Sequence, residues 1–415
     1  MKKNFFIISV SIVIFFILFF LLLNSLSRKN TNNNDIASIS ESNEDSNNLP
    51  EEASKSNEDS NGLPEEASKL NNNSVSYNGW LQTKGSKLEN EKGEPVQLRG
   101  VSSHGIEWFS NVITFENLQE LKNNWNVNVF RIAMYTNPDG YGYIASPEIN
   151  KNTVYKIVDM AINLDMYVIV DWHILNDNNP QIHKEDAKEF FNELSSKYAN
   201  VPNLIYEICN EPNGNSVTWN NDVKPYSEEI IPIIRSHSEK ALIIVGTPDW
   251  CKNLQSPADN PLNFKNIAYS LHFYSGSHGA ELQNQINYCM KKNIPVFVSE
   301  CGLTDASGNG NVYFNEFKEW INYLNINNIS WIYWSFSNKN ESSAILLNSY
   351  IPNTTTEIKS DSSGFSSNTI GDNSNEINDI NNYLTEAGKF IKNIFLSYWG
   401  TNRKANKSVV CYFYI

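Results

Sequence analysis

Eight short apolar runs recur along this chain at intervals of ~26 to 38 residues. They begin near Val96 (VQLRGV), Asn128 (NVFRIAMY), Met166 (MYVIVDWH), Leu204 (LIYEICNE), Ala241 (ALIIVG), Ile267 (IAYSLHFY), Ile294 (IPVFVSE) and Ser330 (SWIYWSF). Most are continuous rather than alternating, as expected of strands buried on both faces. Amphipathic stretches such as Lys184 to Tyr198 and Tyr313 to Leu324 lie between them. The interval suits one βα unit, and eight units predict a single (β/α)8 TIM barrel. A doubly wound open sheet is the competing arrangement, but no glycine-rich phosphate loop follows any early strand.

The flanks read differently. Lys2 and Lys3 precede an apolar stretch from Phe5 to Leu23, long enough as a helix to approach the thickness of a bilayer core. Residues 1–29 are therefore expected to direct the chain to a membrane. The run is longer than a usual signal peptide's and NSLSR after it offers no small-x-small cleavage site, so a retained anchor is expected over a cleaved signal. Either form exports the remainder of the chain, to the outer side of the cell membrane if the segment is retained and to the medium if it is cleaved. Residues 30–75 are rich in Asn, Ser and Glu and nearly free of large apolar side chains, which predicts a disordered linker. Inside it SNEDSNNLPEEASK is followed at once by SNEDSNGLPEEASK, a duplicated unit with no face to bury. The barrel is expected over 76–400, with a Ser/Thr/Asn/Asp-rich loop over 348–382 and a last helix from about Tyr383 to Tyr398. The tail, 401–415, has no assigned role.

Acidic residues outnumber basic ones 46 to 32, giving a formal charge of −14. Nucleic acid is excluded as a partner on that balance. Ten Trp and 20 Tyr suit a neutral ligand with flat apolar faces, such as a sugar ring. The five cysteines show no CxxC or Cys/His spacing, so neither a metal site nor a disulfide framework is expected, and no cofactor is implied.

Chemistry is concentrated where the apolar runs end. Ile205 to Pro212 reads IYEICNEP and delivers Asn210 and Glu211, after which Pro212 forbids a central strand. Val296 to Gly302 reads VFVSECG and delivers Glu300 before a glycine that permits a turn. Two glutamates at the carboxyl ends of barrel strands suit glycoside hydrolysis, one protonated to release the leaving sugar and one ionised to attack. The other strand ends supply Arg131, Tyr135, His173, His272, Tyr274 and Trp334. Beside an ionised Glu300, Arg131 is expected to form paired hydrogen bonds and lower its pKa.

The segments LRGVSSHG, VFRIAMYT, VIVDWHIL, IYEICNEPNG, HFYSGSHG, FVSECG and NKNESSA together resemble glycoside hydrolase family 5, in particular its bacterial endo-β-1,4-glucanases. The resemblance covers about Trp80 to Tyr398. It implies Glu211 as acid/base and Glu300 as nucleophile, supported by Arg131, His173, Asn210, His272 and Tyr274. It further implies sugar binding by His104, Trp108, Tyr135, Trp334, Lys339 and Glu341, with Trp250 near the leaving-group side. The family usually carries an aromatic residue after the nucleophile, where this chain has Cys301. Strand alternation places that side chain away from the pocket, among the helices. The expected activity is endo-cleavage of β-1,4-glucan with retention, by one copy of the chain. Another β-glycanase, acting on mannan or mixed-linkage glucan, and a non-catalytic glycan-binding barrel are the alternatives.

Overall fold

The computed structural model describes residues 73–137, 140–352 and 378–402. The apolar segment at 5–23, the linker up to residue 72 and the tail beyond residue 402 lie outside the described residues, as does most of the 348–382 loop. Among the described residues no helix is long and apolar enough to cross a membrane.

Two short strands come first, β1 (Gln82–Lys84) and β2 (Lys87–Glu89), an antiparallel hairpin that the sequence reading did not anticipate. Its two-residue turn opens with Gly85 at φ 59°, a conformation that glycine adopts without strain. Eight parallel strands follow: β3 (Arg99–Ser103), β4 (Val129–Tyr135), β5 (Tyr167–His173), β6 (Leu204–Glu207), β7 (Ile243–Val245), β8 (Ile267–Tyr274), β9 (Val296–Gly302) and β10 (Trp331–Phe336). They close in the order β10-β3-β4-β5-β6-β7-β8-β9, and the β10–β3 pairing removes the open-sheet alternative.

Helices cover the outside: α1 (Phe115–Trp125), α2 (Pro147–Asn163), α3 (Lys184–Lys197), α4 (Lys224–His237), α5 (Ala280–Lys291), α6 (Phe314–Ile326) and α7 (Glu386–Asn402). α1 illustrates why these segments are helical. Thr114 caps its first turn by accepting from Asn117 N–H, Leu118, Leu121 and Trp125 repeat on one buried face, and Asn126 ends it in the left-handed region at φ 64°. Between β7 and β8 only two short turns occur, Pro248–Cys251 and Gln255–Asp259, which accounts for the short interval there. α7 starts three residues after the expected Tyr383, which instead closes a 3-10 turn, Ile380–Tyr383.

Two apolar layers result. The larger packs the outward strand faces against the helices, with Trp125, Trp172, Phe190 and Tyr333 among its fully buried members. The smaller fills the lower barrel with Leu98, Val129, Ile169, Ile205, Ile244, Phe297 and Ile332, and the hairpin's Leu88 joins it from below. The lower barrel is therefore packed solid, and polar inward side chains begin one layer higher.

Candidate active site

The segment bearing Asn210 and Glu211 leaves the sheet earlier than its apolar sequence suggests, since β6 ends at Glu207. Beyond it, Asn210 N–H donates to Trp172 O at 3.0 Å and Gly246 N–H to Cys209 O at 3.1 Å. A Cβ at Gly246 would stand 2.1 Å from Cys209 O, so only glycine allows this approach. Glu211 is thereby fixed over the barrel mouth by its neighbours rather than by strand pairing.

β9 carries one residue more than either neighbour between Val298 and Cys301. Ser270 and His272 pair with Phe297 and Glu300 on one side, and Trp331 and Tyr333 with Val298 and Cys301 on the other. Such a bulge re-aims side chains. Ser299 and Glu300 both bond to partners inside the barrel, whereas Cys301 is turned outward with its thiol 3.3 Å from Ile332 O. Gly302 is still strand, not the turn expected from the sequence. Its bare Cα makes room for the Tyr274 ring, whose Cε1 a Cβ would meet at 2.4 Å.

Arg131 is the third residue of β4, fully buried, and reaches the site from below. Its Nε donates to Glu207 Oε2 (2.7 Å), Nη2 to Asn210 Oδ1 (2.7 Å) and to Asp171 Oδ2 (3.0 Å), and Nη1 to Glu300 Oε2 (3.2 Å) and Ser102 Oγ (3.2 Å). The expected paired bond to Glu300 is thus a single one, the other Glu300 oxygen accepting from Tyr274 Oη at 2.7 Å. The expected pKa direction is also reversed. Burial, with the charge of Glu211 beside it, raises Glu300 to about 7 in spite of Arg131. One guanidinium divided among three buried carboxylates cannot fully offset the loss of water. Arg131 itself is held more firmly protonated than usual by Asp171, Glu207 and Glu300, against its own burial.

Glu211 is likewise raised to about 7, by burial first and Glu207 second among the raising causes. Its Oε1 lies 2.7 Å from His272 Nδ1. Oxygens of Glu211 and Glu300 and a ring nitrogen of His272 all fall within 4.8 Å of one another. These three groups have the spacing to hold a metal ion, but Arg131 at 3.2 Å already supplies a positive charge to Glu300. His173 is kept neutral by burial and by Arg131, and its Nδ1–H donates to Asp171 Oδ2 at 2.6 Å. Its Nε2 faces Asn210 Nδ2 at 3.4 Å, and the same amide donates to Ile174 O at 3.0 Å. Asn210 is therefore locked in one orientation.

The remaining expected residues fall on two sides of the mouth. His104, after β3, lies with its ring 4.9 Å from Trp334 and 6.2 Å from Tyr135, and Trp108 stands 5.2 Å from Tyr135. Lys339 Nζ is 3.0 Å from His104 Nε2 and 2.6 Å from Glu341 Oε2. Trp334 is 6% exposed and Trp108 45%, so the aromatic surface runs from the barrel outward. Trp250 follows β7, four strands round from β3, and is 42% exposed. Aromatic side chains thus flank the carboxylate pair on two sides of the barrel mouth.

Residues 89–340 match the sequence profile of Cellulase (glycosyl hydrolase family 5). The chain belongs to this family. Among its relatives, an endoglucanase of Clostridium saccharobutylicum is 48% identical over 273 residues, 66% of this chain and 60% of that protein. Endoglucanase A of Evansella cellulosilytica is 46% identical over 255 residues, 61% of this chain and 52% of that one. The chain thus spans little more than half the length of these family 5 relatives. The fold is shared with the solved Cellulase Cel5C_n, at TM-score 0.68 and 36% identity over 77% of this chain and 93% of that chain. The catalytic domain of Thermobifida fusca endoglucanase Cel5A gives TM-score 0.67 and 32% identity over 78% and 99%.

Five buried polar residues at the centre of this family 5 site were missed in the sequence: Ser102, Asp171, Glu207, Ser270 and Ser299. Asp171 lies two residues before His173 on one strand, and that spacing signals a shared face. Glu207 precedes Asn210 by three, across the end of a strand, where alternation no longer holds. Ser299 is concealed by the bulge.

Proposed function

We propose that this chain is an endo-β-1,4-glucanase that cleaves with retention of configuration, Glu300 attacking as nucleophile and Glu211 serving as acid/base. The observation that carries this reading is the approach of Glu211 and Glu300 oxygens to within 4.8 Å. Retaining pairs stand about 5 to 5.5 Å apart, whereas inverting pairs need about 6.5 to 9.5 Å to admit a water between them. Tyr274 and Arg131 each hold one oxygen of Glu300 and aim the carboxylate. Glu211, raised by burial, keeps a proton for the departing sugar oxygen, and loses it when Glu300 is committed to attack. Asn210 and His173 line the reacting ring. His104, Trp108, Tyr135, Trp334, Lys339 and Glu341 take the non-reducing side of the substrate and Trp250 the leaving-group side. The relatives named endoglucanase favour glucan over mannan, and a solved form of the Thermobifida fusca domain is described in complex with cellotetraose.

The reading extends to location. The apolar run at 5–23 after Lys2 and Lys3 supports export with the barrel outside the cell, anchored if the run is retained. The deciding assay sets the purified protein against carboxymethylcellulose, mixed-linkage glucan and mannan, with proton NMR of the first product. Hydrolysis of carboxymethylcellulose with the β-anomer appearing first is expected. An α-anomer appearing first would end the retaining assignment, and preference for mannan would end the glucanase one.

A further inference from the structure

A hydrogen-bonded chain runs beneath the acid/base side of the site and ends on the Glu207 carboxylate. Glu207 is fully buried. Its Oε2 accepts from Arg131 Nε at 2.7 Å and its Oε1 from Ser299 Oγ at 2.5 Å. Ser299 Oγ lies 3.0 Å from His272 Nε2, and His272 Nδ1 lies 2.7 Å from Glu211 Oε1.

A serine hydroxyl has one proton to donate. Ser299 gives it to Glu207, so toward His272 Nε2 it can only accept, and Nε2 must carry the ring proton. Burial and Arg131 keep His272 neutral, so the ring has no second proton and Nδ1 is a bare lone pair. The short contact from Nδ1 to Glu211 is then a bond only if Glu211 supplies the hydrogen. Ser270 Oγ, 2.5 Å from Ser299 Oγ, fills the hydroxyl's other acceptor position.

We propose that Glu207 and Ser299 are positioning residues that fix His272 as its Nε2–H tautomer and so place the proton of the Glu211–His272 pair on the Glu211 carboxyl. The inference rests on Glu211 being the acid/base and adds how its proton is kept in place. When Glu211 passes that proton to the leaving oxygen, the carboxylate left behind faces a lone pair and gains no donor from His272. It stays basic enough to take a proton from the water of the second step. The groups that act on this pair are Arg131 and Tyr135 from β4, Asp171 and His173 from β5, Glu207 from β6, Cys251 and Lys252 after β7, Tyr274 from β8 and Glu300 from β9. Among the described residues, only Ser299 touches His272 Nε2 without bringing a charge.

Ser299→Ala therefore separates the tautomer from simple electrostatics. Without its acceptor, His272 moves its proton to Nδ1, donates to Glu211 and stabilises the carboxylate. The alkaline limb of kcat/KM on cellopentaose should fall by about one pH unit, a roughly tenfold loss on that limb, with little loss on dinitrophenyl cellobioside, whose leaving group needs no acid. Ser299→Thr should restore the limb. Glu207→Gln should reverse the whole chain, because Arg131 Nε keeps the amide oxygen and the NH2 group must donate to Ser299. Nitrogen-15 NMR of the full chain labelled at its six histidines should find His272 protonated at Nε2 in the native protein and at Nδ1 in Glu207→Gln. An unchanged alkaline limb in Ser299→Ala, or a native His272 protonated at Nδ1, overturns the proposal. The native spectrum decides it even if a variant does not fold. Glu211→Gln is the control: if it still hydrolyses cellopentaose at the native rate, the acid/base reading fails, whatever tautomer His272 adopts.

Discussion

The inside of the barrel has two storeys built on the same strands, and they obey opposite rules. In the lower one, Val129, Ile169, Ile205, Ala268 and Phe297 point inward and pack against each other without a polar atom. Two residues further along the same strands stand Arg131, Asp171, Glu207, Ser270 and Ser299, all fully buried and all charged or hydroxylated. The lower storey stabilises the fold by excluding water. The upper one excludes water just as completely but around ionisable groups, so its burial raises the energy of the charged forms and appears as displaced pKa values. A barrel of this kind thus holds its reactive layer against its own solvation preference, using the layer beneath as foundation.

The largest expected effect tests whether chemistry is confined to the upper storey. Glu300→Gln should lower turnover of cello-oligosaccharides by at least about 10³-fold while binding survives, and Glu211→Ala should lose natural substrates but keep activity on aryl cellobiosides. Calorimetric binding of cellotetraose to Glu300→Gln checks the first. Equal losses of Glu211→Ala on both substrate types would break the assignment.

A second pair of variants sets the storeys against each other in stability. Arg131→Met leaves three carboxylates buried without their cation and should cost about 3 to 5 kcal/mol at pH 8, less at pH 4 where the acids are protonated. Ile205→Ala, one layer down, should cost about 2 to 5 kcal/mol with the same penalty at both pH values and an unchanged kcat. Denaturant melts at the two pH values distinguish them. A pH-dependent penalty at Ile205 would blur the division.

The two storeys were not equally legible in the sequence. Apolar runs with turn residues between them located all eight barrel strands, because burial on both faces leaves a continuous apolar signal. The hairpin β1–β2 was missed, having only three residues per strand and one good apolar contact, Leu88. The residues at the rim were legible because polar side chains stand out at the ends of apolar runs. What lay out of reach was sharing. Arg131 next to Glu300 suggests a depressed pKa until Asp171 and Glu207 are seen to divide the same guanidinium, and no local pattern reveals an added residue between Val298 and Cys301.

Cys301 marks the boundary between strand and helix layer, and the third expected effect is smaller. Its thiol is fully buried, bonded toward Ile332 O and pushed well above its usual pKa by burial, with Glu300 adding to it. It should resist thiol reagents in the folded protein while activity persists. Replacing it by Trp overpacks the space beside its strand partners Phe273 and Tyr333 and should cost about 1 to 3 kcal/mol, read as a lower Tm with kcat/KM nearly unchanged. Rapid inactivation by a small thiol reagent, blocked by cellotriose, would place the thiol in the cleft instead.

The smallest effect asks whether the upper storey costs stability simply by being ionised. Glu211 and Glu300 rise from 4.5 to about 7, mainly through burial. A carboxyl with a raised folded pKa binds its proton more tightly in the native state than in the unfolded one. Its contribution to stability is therefore full below about pH 4.5 and is lost as pH climbs through 7. Because the two sit together and each raises the cost of charging the other, the second ionisation is the expensive one. An amide at either position never ionises and relieves that second step. Glu300→Gln should then melt above the native protein at pH 8 by the equivalent of about 1 to 2 kcal/mol, the gap closing at pH 5. Glu211→Gln should behave alike, since its amide can donate to His272 Nδ1 as the acid does. A gap that is constant with pH would trace the gain to packing, and a native protein more stable than both amides at pH 8 would mean that Arg131 has already offset the charge of the pair.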